Sequence, residues 1–385
     1  MNATRLLSIG AVAASLAGAA PGGAMADPFT ASQLGYDNAL LGQFNLINLG
    51  NYSAGNETQG RVVVGGNITN PTGGTNVCFV GCGATTAAVD ANGATFGALT
   101  VFGNAVAGNG LRVGGNVAIG GTSSGQFTPA GSTFAVVGSA MGTIVDQPTA
   151  VLTTQAAFAG TVTNSGSAPK VSQSIASVFP FASAGSGLAN TFANPLLALA
   201  KGIAALPGSP SVTAQALPTG NNVFFTATND YTSAGKSYGV ITTTLQNLAS
   251  EQNFGGINSN GNAATFVIVT GDGANYTLPN LNSYASVNKV IFDFVDATTL
   301  RFGGTFAGSI LAPLATITQQ GGALDGSIVV SAINQTQELH QTSLFNGDLT
   351  GLATTTTATN PVPEPATTAL LGLGVLLTGL VRRRR

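Results

Sequence analysis

Few side chains in this sequence are able to perform acid–base or hydrolytic chemistry, and most are scattered. Asp293 and Asp296 lie close together, with Arg301 beyond them. Clustered carboxylates, or a calcium site beside a basic residue, are what a polysaccharide hydrolase or lyase needs. However, residues an odd number of positions apart in a strand point to opposite faces. We therefore interpret Asp293 and Asp296 as a solvent-exposed corner and expect no catalytic residue.

Two further side chains are candidates for chemistry. His340 is the single histidine and lies two residues after Glu338, which places both on one face of a strand and predicts a structural hydrogen bond. Asp272 lies between two glycines, which is typical of a turn, and alone it is an incomplete calcium site. Phosphate-binding, nucleotide-binding and zinc motifs are lacking in the sequence. We predict a protein without enzymatic activity, metal or cofactor.

Cys78 and Cys82 are the only cysteines. One alternative is a zinc site, but two thiols without a histidine or a second cysteine pair leave a tetrahedral ligand set incomplete. The other is a disulfide, which forms readily after export to an oxidising compartment. We predict the disulfide.

The composition excludes several classes of function. Only 7% of the residues are charged and the formal net charge is −2, so the clustered Lys and Arg that nucleic-acid binding needs are lacking. Hydrophobic residues make up 44%, which is enough to bury a large core. Most of the polarity comes from Asn, Thr, Ser and Gln, as is typical of extracellular β-rich proteins.

A repeat of 18 residues runs through residues 287–333 and indicates the elements that position these side chains. Phe306–Ala312 aligns with Leu324–Val330, and Gly-Ser-Ile recurs at Gly308 and Gly326. A short period of β-branched residues and glycines is typical of a solenoid. We therefore predict parallel β-helix coils in which Ile310 and Ile328 point inward, one above the other. An antiparallel sandwich is the alternative.

The N-terminal half has related signals. A helix or loop after Phe29 leads into a strand at 44–49, and β-branched runs that end in Gly-Asn or Gly-Gly-Asn recur at Asn67, Asn104 and Asn116. Such runs predict strands closed by tight corners. Residues 171–206 instead have apolar residues at helical spacing, and we predict one or two helices packed alongside. The fold class is thus mainly β, a parallel β-helix or β-solenoid with a helical segment, as one domain over 27–350.

Both ends of the chain are predicted targeting segments. Residues 1–26 have Arg5, an apolar run from Leu6 to Ala20, and small residues at Ala24 and Ala26, which predicts a cleaved signal peptide. An N-terminal membrane anchor is the alternative, but the run is short for one. At the other end, a threonine-rich linker over 351–361 precedes the last 24 residues.

Residues 362–385 begin with four motif residues, then an apolar run of about 24 Å as a helix over 366–381, then a basic end that would stay in the cytoplasm. The motif is Val362, Pro363, Glu364 and Pro365, and the basic end is Arg382, Arg383, Arg384 and Arg385. This tail resembles the PEP-CTERM sorting signal. The resemblance implies an exosortase-type membrane processing enzyme as partner, cleavage near the triplet, membrane contact before processing, and a bacterium that makes exopolysaccharide or biofilm matrix. A plain C-terminal anchor is the alternative.

The body of the chain, from Leu34 to Leu349, resembles the choice-of-anchor A family. The resemblance is carried at the start by Phe44–Asn51, Gln59–Arg61 and Val64–Asn67, and at the end by Gly308–Pro313, Gly326–Val330 and Glu338–His340. It implies a secreted protein held at the cell surface with an adhesive or matrix-associated role. The cysteine-containing loop over 70–89 departs from the family pattern.

Three functions follow as expectations. The first is a protein exported through the inner membrane, and after C-terminal processing located at the cell surface or in the matrix, where it contacts exopolysaccharide or other matrix components. The second is an ice-binding solenoid, since Thr298 and Thr316, and likewise Thr318 and Thr336, are one period apart. The third is a carbohydrate-active β-helix enzyme.

Overall fold

The computed structural model describes most of the predicted domain and neither end of the chain. The predicted signal segment 1–26, residues 171–186 of the predicted helical segment and the sorting segment 362–385 lie outside the described residues. The described residues are 29–70, 75–78, 82, 88–89, 95–129, 133–136, 143–146, 151–154, 161–164, 187–206, 215–216, 223–227, 231–250, 254–282 and 284–353.

The fold is mainly β, with helices. The α-helices are α1 (Ala31–Gln43), α2 (Asn194–Ala204), which continues a π-helical turn at Ala189–Ala193, and α3 (Leu245–Ser250). Single 3₁₀ turns lie at Gly273–Asn275, Val287–Lys289 and Thr350–Leu352. Helix α1 begins where the Thr30 side chain accepts a hydrogen bond from the Gln33 backbone, as an N-cap does.

The strands before α2 are short. They are β1 (Phe44–Asn48), β2 (Tyr52–Ser53), β3 (Arg61–Val64), β4 (Ile68–Thr69), β5 (Thr75–Val77), β6 (Ala88–Val89), β7 (Thr95–Phe96), β8 (Leu99–Val101), β9 (Ala105–Val113), β10 (Val117–Ile119), β11 (Ser123–Pro129), β12 (Thr133–Val136), β13 (Thr143–Asp146), β14 (Val151–Thr154) and β15 (Thr161–Asn164).

The strands after α2 complete the fold. They are β16 (Gln215–Ala216), β17 (Val223–Thr226), β18 (Tyr231–Ser233), β19 (Lys236–Thr244), β20 (Phe254–Asn258), β21 (Ala264–Thr270), β22 (Val290–Asp293), β23 (Thr299–Phe302), β24 (Phe306–Ala307), β25 (Ser309–Gln320), β26 (Leu324–Asp325), β27 (Ile328–Asn334) and β28 (Leu339–His340).

Three parallel ladders organise these strands. The first ladder runs β14–β12–β10–β8–β3–β1–β27–β25–β22–β21–β19. The second runs β23–β25–β27–β2–β4–β9–β11. The third contains β24–β26–β28, and Thr58 bridges β28 to β5, from which it continues through β9, β11, β13 and β15. Parallel pairing of this extent contradicts the antiparallel sandwich.

The predicted alignment of Ile310 with Ile328 is confirmed. The two residues are register partners in the parallel pair β25–β27, and both side chains are buried in one apolar cluster. Leu46 of β1 is the next residue in the same row. The spacing between such neighbouring strands is about 4.8 Å, so these side chains stack directly on each other.

The two halves of the chain meet in the middle of the first ladder. Strand β1 pairs with β27 on one side and with β3 on the other, so that Ile47 lies between Val329 and Val63. The N-terminal half extends the ladder in one direction and the C-terminal half in the other. The 18-residue repeat describes each half but does not reveal this junction.

The helices cover the outer surface of the first ladder. Phe192, at the start of the helical segment, contacts Phe44 and Phe96 edge-on, and α2 packs against β21, β22 and β25. A second apolar cluster fills this interface. The predicted packing of a helix along one side is therefore confirmed for residues 187–204. The second cluster also contains Leu352, so the folded part extends past the predicted linker start at 351.

Candidate functional site

The pair of acids that the sequence placed on a solvent-exposed corner is divided between the interior and the surface. Asp296 is exposed, whereas Asp293 is 0% exposed. The expectation was therefore wrong for Asp293, because the helical layer covers the ladder face on which it lies. Burial raises the pKa of Asp293 well above its ordinary value, and the charge of Asp296 adds to the effect. Arg301 contacts neither acid in a hydrogen bond and donates instead to Gln319.

The remaining predicted polar residues make local structural contacts. Nε2 of His340 lies 2.9 Å from Oε2 of Glu338, as the shared strand face predicted. The Asp272 carboxylate accepts hydrogen bonds from the hydroxyl of Thr298 and the backbone of Thr299. These bonds lower the pKa of Asp272. The contacts fix two corners and leave neither group as an organised acid–base pair.

Asp37 is a buried acid that the sequence did not single out. It lies on α1, is 1% exposed, and its Oδ1 accepts a hydrogen bond of 3.0 Å from Nε2 of Gln33. Burial raises the pKa of Asp37 to about 7, and the hydrogen bond offsets part of the shift. The position follows three residues after buried Leu34 and three before buried Leu40, and this helical spacing was the available signal.

Cys78 and Cys82 form a disulfide with Cα atoms 5.3 Å apart. Both residues are buried, and the backbone of Cys78 donates to Thr58 on the neighbouring turn. The residues between the two cysteines lie outside the described ranges. Oxidation of the pair in the exported protein stays a prediction. In the described ranges, no three His, Cys, Asp or Glu side chains come together as a metal site would require.

The Gly-Gly-Asn corners form a row on the surface, here called the corner row: Asn51, Asn67, Asn104 and Thr122. The backbone N–H of Asn67 donates to Oδ1 of Asn51 at 2.9 Å, and that of Asn104 donates to Oδ1 of Asn67 at 2.8 Å. Thr122 donates to Asn104 in the same way. Each asparagine oxygen thus satisfies a backbone group that the turn would leave unpaired.

The glycines of these corners are required by close approach between turns of the chain. A Cβ on Gly66 would lie 2.4 Å from Oδ1 of Asn51 and 2.8 Å from the Gly50 carbonyl. A Cβ on Gly103 would lie 2.4 Å from the carbonyl of Gly66. The predicted role of glycine at tight corners is therefore confirmed at these positions.

Beside the corner row, the second ladder presents an uncharged outer row. Five residues occupy successive strands in register on the side opposite the buried Tyr52, Ile68 and Ala105. Val106 in this row is 44% exposed. Side chains in such a row lie about 4.8 Å apart. The outer row is Asn334, Ser53, Thr69, Val106 and Ser124.

The threonine pairs expected for an ice-binding face are not aligned. Thr316 is the register partner of Thr299 and Ala332, not of Thr298. Thr336 bonds to Gln320, not to Thr318. The step between β25 and β27 is 18 residues at Ile310 but 16 at Thr316, because the strands follow corners of different length. A fixed 18-residue period therefore selected the wrong partners.

The sequence also missed a buried network that joins the first and last turns of the fold. The Tyr52 hydroxyl lies 3.0 Å from that of Thr58 and also contacts Oε1 of Gln335. Nε2 of Gln335 donates to the Glu57 carbonyl. Partners separated by more than 270 positions give no local signal, so only the three-dimensional structure reveals them.

In the described ranges, no helix combines the length and apolar composition needed to cross a membrane. The predicted apolar run over 366–381 lies outside those ranges, as do the four arginines after it and the Pro363–Pro365 triplet. The signal cleavage residues Ala24 and Ala26 lie outside them as well. The functions of these residues stay predictions from the sequence.

Comparison with known proteins supports both resemblances expected from the sequence. A family model described as "Putative Ice-binding-like adhesive domain" matches residues 37–341, and a model of the "PEP-CTERM protein-sorting motif" matches residues 361–385. No curated protein and no solved structure matches the chain. The two matches indicate an exported protein of the cell surface whose sorting motif is a signal for exosortase processing. Because the first match covers most of its length, the chain belongs to the family of ice-binding-like adhesive domains.

Proposed function

We propose that this protein is an adhesin of the bacterial surface or extracellular matrix, and that it binds exopolysaccharide through the face formed by the corner row and the outer row. We infer that the three ladders are the faces of one β-solenoid. The observation that carries the proposal is the in-register outer row. Its small, uncharged side chains recur once per strand, which suits a repetitive and neutral target.

Binding of the purified chain to matrix polysaccharide from the producing strain tests this proposal. Thr69→Lys places a long charged side chain in the middle of the outer row and should abolish retention. Thr128→Lys is the matched control, because Thr128 lies outward on the third ladder beside Arg112. Equal retention of both variants would contradict the assignment of the binding face.

Ice binding is the second candidate function, favoured by the description of the matching family and by the hydroxyl groups of the outer row. The misaligned threonine pairs count against an extended threonine face. A thermal hysteresis measurement separates the two candidates. Hysteresis that Thr69→Lys removes, together with no retention on polysaccharide, would favour ice binding.

We further propose that the chain has no enzymatic activity on polysaccharide. The support is the arrangement of the acids: Asp293 is buried, and Asp272 and Glu338 are held by local hydrogen bonds. A reducing-end assay on the same matrix polysaccharide should give no signal above the buffer. Release of reducing ends by the chain, but not by Asp296→Asn, would restore the carbohydrate-active alternative.

The C-terminal motif supports sorting and processing of this adhesin. We propose that an exosortase-type enzyme reads Pro363, Glu364 and Pro365 and that the protein then reaches the cell surface or matrix without its apolar tail. A biofilm role requires this location. Deletion of the gene should reduce matrix-associated adhesion, and adhesion that does not change would contradict the role while leaving the binding face to the retention assay.

A further inference from the structure

The buried acid Asp293 occupies an unusual position in the interface between the first ladder and helix α2. It is the last residue of β22, and its register partners are Ile268 of β21 and Leu311 of β25. Both partners belong to the apolar cluster beneath the helices, and Asp293 is 0% exposed. Helix α2 packs against all three strands. A carboxyl group therefore interrupts an otherwise apolar row.

No counter-charge compensates for this carboxyl group. Neither oxygen of Asp293 accepts a hydrogen bond from a described residue. Strands β21 and β25 carry no titratable side chain, and α2 carries only Lys201, which is exposed. Asp296 adds a second negative charge, and Asp37 is a further buried acid in the same helical layer. An ionised Asp293 would be a buried charge without a partner, which is strongly unfavourable.

We propose that Asp293 is a proton-dependent latch that holds helix α2 on the first ladder. While the carboxyl group keeps its proton, the interface stays closed and dry. Ionisation places an unpaired charge in the apolar layer, and lifting α2 relieves the cost because water then reaches the carboxylate. The opened state exposes the row formed by Leu311, Val329 and Ile47, which the helix otherwise covers.

The sign of the pH dependence follows from proton linkage. Burial raises the pKa of Asp293 above its ordinary value, so the closed state binds a proton that the opened state has lost. The attachment of α2 is therefore strongest in acid and weakens as the pH rises towards the pKa of the closed state. Each pH unit in that window shifts the closed-to-open ratio by about tenfold.

Hydrogen exchange of the α2 amides in the full chain tests the latch. After correction for the intrinsic pH dependence of exchange, protection of residues 194–204 should fall by about tenfold or more between about pH 6 and about pH 9. Amides of β25 and β27 should stay protected over the same range. Asp293→Asn removes the titration and should keep α2 protected at both pH values.

Two controls keep this test decisive. Asp37→Asn removes the other buried acid of the layer, and the pH-dependent loss of α2 protection should persist in it. Infrared titration of the wild type provides a measurement that needs no folded Asp293 variant, since a protonated carboxylic acid should remain above about pH 8. Ionisation of every carboxyl group below neutral pH would overturn the proposal. Unchanged α2 protection in the wild type, or the same loss in Asp293→Asn, would overturn it as well.

Discussion

Replacing Asp37 by Asn should stabilise the protein at neutral and alkaline pH and have little effect in acid. The structure buries this carboxyl group in α1 and raises its pKa from 3.8 to about 7. The folded chain therefore keeps a proton that the unfolded chain has released above pH 3.8. Stability falls by about 1.4 kcal/mol per pH unit between the two pKa values and is constant above the upper one. The wild type thus loses about 4 kcal/mol across this window.

Asp37→Asn keeps an acceptor for Gln33 and carries no titratable proton. Its free energy of unfolding should exceed that of the wild type by up to about 4 kcal/mol more at pH 8 than at pH 4. Urea unfolding followed by far-UV circular dichroism measures this difference, since the chain has no tryptophan for fluorescence.

Asp272→Asn is an informative control because its pKa is lowered by hydrogen bonds from Thr298 and Thr299. The stabilisation from a depressed carboxyl pKa is present above the unfolded value and is lost in acid, so this variant should be less stable than the wild type at pH 8. A difference between Asp37→Asn and the wild type that does not change with pH would refute the assigned cause.

The remaining predictions concern packing, corners and sorting. Ile328→Ala should cost about 2–5 kcal/mol in urea unfolding because it opens a cavity in the buried row, whereas Asn334→Ala on the same strand should cost less than about 0.5 kcal/mol. Gly66→Ala should cost about 1–3 kcal/mol through its corner contacts, while Gly35→Ala, with no atom within 4 Å of the added carbon, should not destabilise α1. Glu364→Ala should leave the precursor in the membrane, and C-terminal peptides of the surface protein should lack the apolar tail only when Glu364 is present.

Local repetition made part of this fold predictable. The 18-residue period identified Ile310 and Ile328 as partners because strand pairing in a ladder repeats wherever corner lengths are equal. Helical spacing similarly identified Phe192 and Ile203 as buried residues of the helical segment. These signals depend only on nearby positions in the chain, which is why the sequence alone carries them.

Long-range packing decided the rest. Asp293 had the sequence context of a surface corner, but helix α2, almost 100 positions earlier, covers it. The neighbours of β1 were equally hidden, because Ile47 pairs with Val329 from the far end of the domain. The outer row also escaped notice, since its members come from five strands with unequal spacing in sequence.

The junction of the two halves in the first ladder has a mechanical consequence. In an ordinary stack of repeats, the strand nearest the chain terminus has one neighbour and peels away first under load. Here a pull on the C-terminal tail enters at Leu352, passes the ion pair between Asp348 and Lys236, and reaches β27, which is hydrogen-bonded to β25 on one side and to β1 on the other. Force on the tail must therefore break two parallel ladders together, so the domain resists unravelling from the end by which a surface protein would be held.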